Sequence, residues 1–166
     1  FIAREKNTKI IKEKGLKIIT PQQEKIVFPK LVSNKAEEIG QIDYLICCVK
    51  SYDLAESLIP LKDCIHHKTI ILPLLNGVDA KEIIYSVLPK ATVWDGCVYI
   101  ISRLIEPGVI QEGGKIHSLY FGSITKNKQG YSEFLEEQAS MTMEQVLLSV
   151  CPISLALNLS LPSLFR

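Results

Sequence analysis

The chain has 166 residues, 47% of them hydrophobic and 22% charged, with 19 Lys and Arg against 18 Asp and Glu. That is ordinary globular composition for one domain, or for one domain with a remnant of a second. A net charge of +1 leaves no electrostatic footprint for nucleic acid or an anionic membrane as partner. The five cysteines form no CxxC pair and no Cys/His cluster, so they point to no metal site and to reduced thiols in a cytoplasmic protein. No basic head precedes an apolar stretch, so no signal peptide is read at the start.

Phe1-Ile2-Ala3-Arg4 reads as the end of a strand already under way. Residues 8–14 space Ile10 and Ile11 against Lys9, Lys12, Glu13 and Lys14. That predicts a helix capped by Asn7 or Thr8 and stopped by Gly15. Short strands are expected at 16–19 and 25–28 around a Thr20-Pro21 turn, then a helical turn at 36–39. Residues 43–49 are a continuous apolar run, as in a strand covered on both faces. Cys47 and Cys48 within it point to opposite faces. A helix over 53–61 with Ser51 as cap, a buried strand over 69–75, a helix over 79–87 and a strand over 91–101 continue the alternation.

Beyond Pro107-Gly108 the pattern changes. Residues 109–111 and 116–121 alternate like an antiparallel pair, with Gly113-Gly114 as its tip. A helix is expected over 132–150. Residues 145–165 carry no charge, and their length invites a membrane-span reading. Pro152, Pro162, Asn158 and the serines argue instead for a buried helix broken at Cys151-Pro152. The whole order predicts an α/β fold, Rossmann-like, with a mostly parallel sheet and an antiparallel hairpin addition.

A parallel sheet of this kind builds its ligand crevice at the carboxyl ends of its strands. Two buried strands end abruptly in polar residues, at Val49-Lys50-Ser51 and at Leu75-Asn76-Gly77. Lys50 and Asn76 therefore belong at the lip of one crevice. Lys50 would be a point charge for a cofactor or substrate; its plainer reading is a solvated surface lysine. The Asn76 amide can both donate and accept there, although Asn-Gly also marks ordinary turns. His66-His67 reads as solvated loop surface and His117 as structural.

Asp43-x6-Lys50-Ser51-Tyr52, Leu75-Asn76-Gly77-Val78, Glu82, Leu88-Pro89, Gly96, Pro107-Gly108 and Tyr120-Phe121-Gly122 form one ordered set. In order and spacing the set resembles the amino-terminal domain of the ketopantoate reductase (2-dehydropantoate 2-reductase) family, a relative of the 6-phosphogluconate dehydrogenase group. The likeness stops near residue 139. It implies a partial NADP-binding Rossmann-like domain over 1–139 and an atypical tail, or a remnant of a helical substrate domain, over 140–166. It also implies that Lys50 and Asn76 contact both the cofactor and a small 2-oxo acid substrate. Ser102, closing the strand over 97–101, would make a further cofactor contact. Arg4, at the end of the second strand, would accommodate the 2′-phosphate of NADP, while Glu5 beside it pulls toward the 2′-hydroxyl of NAD.

No G-x-G-x-x-G occurs in the sequence, and that motif is where a Rossmann domain cradles pyrophosphate. The resemblance thus implies an incomplete fold, lacking the first strand and its glycine-rich loop. That strand is central in the sheet, so its neighbours would have bare edges and the isolated chain is expected to be unstable or to aggregate. No lysine follows Lys128, so the family's proton-donor lysine maps to no residue here and no catalytic residue is assigned. The abrupt loss of charge after Glu144 leads to the expectation that residues 146–166 arise from a reading-frame error or a truncated gene prediction.

The functional expectation is a fragment of an NADPH-dependent reductase converting 2-dehydropantoate to pantoate for coenzyme A synthesis. The rival readings are a related 2-hydroxy-acid dehydrogenase and a non-catalytic truncated α/β module.

Overall fold

A computed structural model describes residues 1–3, 5–114, 118–122 and 155–157. The chain enters as a short parallel bridge at Ile2 and Ser33. The Ala3 N–H donates to the Ser33 carbonyl at 3.1 Å, and the Ser33 N–H donates to that of Phe1 at 2.9 Å. Helix α1 then spans Glu5–Lys14, starting earlier than the spacing predicts. Thr8 is not its cap: it lies inside the helix, buried, and its Oγ1 donates to the Ala3 carbonyl at 2.8 Å. Gly15 does stop the helix, at φ +75° with its N–H on the Ile11 carbonyl at 2.9 Å. A side chain there would meet Ile26 Cγ2 at 2.7 Å, so both backbone conformation and space call for glycine.

Strands β1 (Leu16–Ile19) and β2 (Glu24–Val27) form the expected antiparallel hairpin. Thr20 Oγ1 closes the turn by accepting the Gln23 N–H at 3.1 Å. A 3-10 turn follows at Ala36–Glu38. Strand β3 is Ile42–Cys47, helix α2 is Ser51–Leu58, and a 3-10 segment Ile59–Cys64 leads into strand β4, Ile65–Pro73. Helix α3 spans Ala80–Val87 and strand β5 is Thr92–Val93. Strands β3, β4 and β5 pair in parallel, with Tyr44 beside Ile70 and Cys47 beside Pro73.

Alternating apolar positions in these strands meet the apolar stripes of α2 and α3. The core contains Ile42, Leu45, Leu54, Leu58, Ile71 and Ile84, each at most 1% exposed. A register shift between Ile42 and Tyr44 is bridged by Thr69, fully buried, whose Oγ1 donates to the Ile42 carbonyl at 2.5 Å and accepts the His66 N–H at 2.9 Å.

The strand predicted over 91–101 is two strands. The Trp94 N–H still donates to the Ile71 carbonyl at 2.9 Å. The chain then leaves that sheet as β6 (Asp95–Tyr99), which pairs antiparallel with β9 (Ser118–Gly122). The predicted hairpin of 109–111 with 116–121 does not form. Strand β7 (Ser102–Glu106) and strand β8 (Val109–Glu112) make the hairpin instead, turning at Pro107-Gly108, where Gly108 sits at φ +77°. The reason is that β8 is an interior strand, paired on its other side in parallel with β1 and burying Ile110 at 1% exposure. Gly113-Gly114 is therefore no tip; Gly113 donates its N–H to the Ile101 carbonyl at 2.9 Å.

Strand β10 (Leu155–Leu157) pairs antiparallel with β3 on the side away from β4, with Leu155 beside Ile46 and Leu157 beside Tyr44. These three residues are strand, where the reading of 145–165 expects helix, and they cover the part of the β3 edge expected to be bare. The helix predicted over 132–150, the break at Cys151-Pro152 and His117 lie outside the described residues. Among the described residues no helix is long and apolar enough to cross a membrane.

Candidate active site

The parallel register brings two strand ends together. Cys47 and Pro73 are paired, and the Leu74 N–H donates to the Cys47 carbonyl at 2.8 Å. Lys50 and Asn76 each follow their strand by three residues. The fold therefore brings both to the carboxyl edge of adjacent parallel strands, and both are exposed. Lys50 is not a strand end but the N-cap position of α2, with φ −70° and ψ 149°. Ser51, expected as the cap, is the first residue inside the helix.

Asn76 sits in the loop that precedes Asp79, the N-cap position of α3. That loop turns through Gly77 at φ +111°, where a Cβ would come within 3.0 Å of Asp79 Oδ1. Lys81 Nζ on α3 reaches Asp95 Oδ2 at the start of β6 at 2.7 Å, tying together the two elements on either side of this loop.

Beside Lys50 lies a cavity of about 580 Å³, within the usual range for a small-molecule site. One wall is the flank of α2, which contributes Lys50, Asp53, Glu56 and Ser57. Ile2 and Ala3 of the entering segment, Asn7 of α1 and Asn34 also line it. Val49, Leu61 and, from β7, Leu104 supply apolar surface. The described lining thus offers an ammonium, two amides and apolar surface, while the Ser57 hydroxyl donates to the Leu54 carbonyl at 2.8 Å. Among the described residues the lining carries one cation, Lys50, and two carboxylates, Asp53 and Glu56.

Arg4 is outside the described residues, although Ala3 and Asn7 on either side of it line the cavity. Ser102 does not line it. It opens β7 in the second sheet, opposite Glu112, and does not close the strand before it. Leu104 is the residue of that strand that reaches the cavity. Sequence reasoning misses Asn34, Asp53, Glu56 and Ser57. Lys50, Asp53 and Ser57 are separated by three and then four residues, a helical face that can be read from the chain. Asn34 carries no such signal, because the long-range pairing of Ile2 with Ser33 brings it there.

None of the described cysteines lines this cavity. Burial pushes the Cys47 thiol up to about 12, which keeps it neutral and unreactive. Among the described residues no group of three or more His, Cys, Asp or Glu could hold a metal ion.

A family model described as ketopantoate reductase PanE/ApbA matches residues 1–126. An uncharacterized oxidoreductase YkpB of Bacillus subtilis (strain 168) is 30% identical over 149 residues, covering 90% of this chain and 48% of that protein. A crystal structure of 2-dehydropantoate 2-reductase from Porphyromonas gingivalis W83 superposes with a TM-score of 0.71 at 32% identity, covering 90% of this chain and 50% of that one. A 2-dehydropantoate 2-reductase from Geobacter metallireducens GS-15 shares the fold, with a TM-score of 0.72 at 20% identity over 88% of this chain and 46% of that one. So does a D-mandelate dehydrogenase solved with NADH and anilino(oxo)acetate, with a TM-score of 0.68 at 23% identity over 86% of this chain and 44% of that one. The chain spans about half the length of these relatives.

Proposed function

This chain belongs to the ketopantoate reductase PanE/ApbA family, and from that premise we propose that its protein is an NADPH-dependent reductase of a small 2-oxo acid. The fold is the Rossmann-like α/β arrangement of that family, with a mostly parallel sheet and antiparallel additions. The observation that carries the reading is that Lys50 and Asn76 each follow the carboxyl end of one of the adjacent parallel strands β3 and β4; Lys50 lines the cavity beside α2, and Asn76 does not.

Residues 1–139 would form most of the nucleotide-binding domain. A nicotinamide, when bound, supplies the hydride. Lys50 holds a negative or carbonyl oxygen at the crevice lip, and its charge favours the reduced, alkoxide-like oxygen over the starting ketone. Asn76 orients the same end of the substrate by donating from Nδ2 and accepting at Oδ1. Arg4 would face the 2′-phosphate, which is why NADPH is the cofactor proposed. The proton for the new hydroxyl comes from a group outside these residues. The preferred substrate is 2-dehydropantoate, reduced to pantoate in the cytoplasm. The alternative is another 2-oxo acid, as the shared fold of the D-mandelate dehydrogenase suggests.

The test is NADPH oxidation by the whole natural protein, followed at 2-dehydropantoate and at a panel of aromatic and aliphatic 2-oxo acids. Turnover of 2-dehydropantoate with kcat/KM at least about tenfold above the rest is expected. Asn76→Ala and Lys50→Ala should each cost about 10²-fold in kcat/KM, as for loss of one charge-stabilising contact. Turnover of another acid instead would move the assignment to the related dehydrogenases. Wild-type rates from both variants would remove the site.

A further inference from the structure

We propose that the Lys81–Asp95 ion pair is a positioning device for Asn76, holding the loop that carries this amide in the conformation the proposed reaction uses. The inference rests on the proposed reduction of a 2-oxo acid and deepens it, adding two residues to which that proposal gives no role.

Residues 75–78 form a bend between β4 and α3, and among the described residues no hydrogen bond ties them down along their length. Gly77, at φ +111°, gives the bend a backbone freedom that a side chain would restrict. The place of Asn76 is therefore set by the two ends of the loop. Two consecutive residues at the start of β6, Asp95 and Gly96, meet both ends. At the near end Gly96 packs over Leu74, where a Cβ would come within 2.7 Å of Leu74 Cδ2 and 3.2 Å of the Pro73 carbonyl oxygen. At the far end, in the first turn of α3, Lys81 Nζ donates to Asp95 Oδ2 at 2.7 Å. Asp95 is carried on a fixed frame. The Trp94 N–H before it donates to the Ile71 carbonyl at 2.9 Å, and the Trp94 ring stacks on Phe121 with centroids 6.3 Å apart.

A pair whose side chains are 31% and 47% exposed contributes little to global stability. Its effect is local. Ala80 and Ile84 seat α3 in the core, but apolar packing is non-directional. A charge-assisted hydrogen bond fixes a direction, and this one sets how the first turn of α3 faces β6. A misplacement of about 1 Å at a substrate-orienting group can cost up to about 10²-fold in rate.

The experiment measures NADPH oxidation by the whole natural protein with the 2-oxo acid it reduces best, 2-dehydropantoate being the acid expected. Lys81→Met and Asp95→Asn each remove the ion pair at nearly constant size. Each is expected to lower kcat/KM about tenfold, and the double variant no more than about twofold further, since both changes break one contact. Lys81→Arg keeps the charge and should recover most of the loss. In an Asn76→Ala background either change should cost less than about twofold, because the group it positions is gone; general damage to the fold would cost the full tenfold there too. Urea midpoints should move little, and if Lys81→Met does not fold, Asp95→Asn tests the same contact.

Wild-type kcat/KM in both single variants overturns the inference, as does an equal loss with and without Asn76, while the reductase reading stands on the wild-type rate. A wild-type protein that reduces no 2-oxo acid with NADPH overturns that reading itself, and the inference falls with it.

Discussion

Gly96 is the position where one methyl group should be felt most sharply. It lies in β6 over the end of β4. A Cβ built there meets Leu72 Cδ1 and Leu74 Cδ2 at 2.7 Å each, and the Pro73 carbonyl oxygen at 3.2 Å. Ordinary contacts begin near 3.4 Å, so two side chains must each retreat by more than half an ångström. They have little room, because Leu72 and Leu74 are buried against Phe121. The backbone oxygen cannot rotate away at all. Overpacking of this kind costs about 1–3 kcal/mol.

For a chain of this size that corresponds to a fall in Tm of roughly 2–12 °C. Urea unfolding of the natural protein and its Gly96→Ala variant measures it, with an unchanged slope and a lower midpoint. Adding Leu74→Ala should give a coupling of at least about 0.5 kcal/mol, because it vacates the space the new methyl needs. A Gly96→Ala variant as stable as wild type would show that β6 does not lie this close over Leu72–Leu74. The functional consequence is specific. Leu74 is two residues from Asn76, so the KM for the 2-oxo acid should rise in Gly96→Ala even at temperatures where the variant is fully folded.

Three further outcomes are expected. Thr69→Val leaves the Ile42 carbonyl and the His66 N–H without the hydroxyl they share; it should lower stability by about 1–3 kcal/mol, and Thr69→Ser should restore most of that in the same urea titration. The Ser33 hydroxyl on Glu38 Oε2 at 2.7 Å, aided by Lys12 and Lys35, holds the Glu38 carboxyl below the usual glutamate range. A carboxyl depressed in the folded state stabilises above its unfolded pKa and loses that contribution as pH falls through the folded value. Wild type should therefore lose more stability than Ser33→Ala between about pH 5 and pH 3, and equal slopes would refute the assignment. In thiol labelling under native conditions Cys97, which is exposed, should react before Cys47, which is fully buried; labelling of Cys47 at the same rate would mean that the β3 edge opens freely.

The elements that can be read along the chain are those whose partners are near in sequence. β1 and β2, the strands under α2 and α3, and the stop at Gly15 follow from local periodicity and one turn each. The errors have a common cause. Thr8 looks like a helix cap, but its hydroxyl goes to Ala3, because the helix begins earlier to seat Ile11 in a buried cluster with Leu16 and Ile110. Residues 109–112 look like one arm of a local hairpin with residues 116–121. Their alternation is satisfied instead by β1, some ninety residues earlier, and by β7 just before. Period-two patterning says which face of a strand is buried and not what buries it.

The same distinction governs the site. Lys50 and Asn76 can be placed from sequence because both sit just past adjacent parallel strands, and the crevice at that edge is a property of the topology. Asn34 cannot, because it reaches the cavity only through the pairing of Ser33 with Phe1 and Ala3. Ser102 is misplaced by sequence for the complementary reason. Strand 91–101 looks continuous, but after Trp94 the chain changes sheets, so the residue past its far end belongs to a different sheet edge. A residue's function is therefore legible here as far as its strand's neighbours are, and the carboxylates of α2 are the instructive case. Their helical spacing is plain, but only the fold shows that they share one cavity with Ala3 and Asn7.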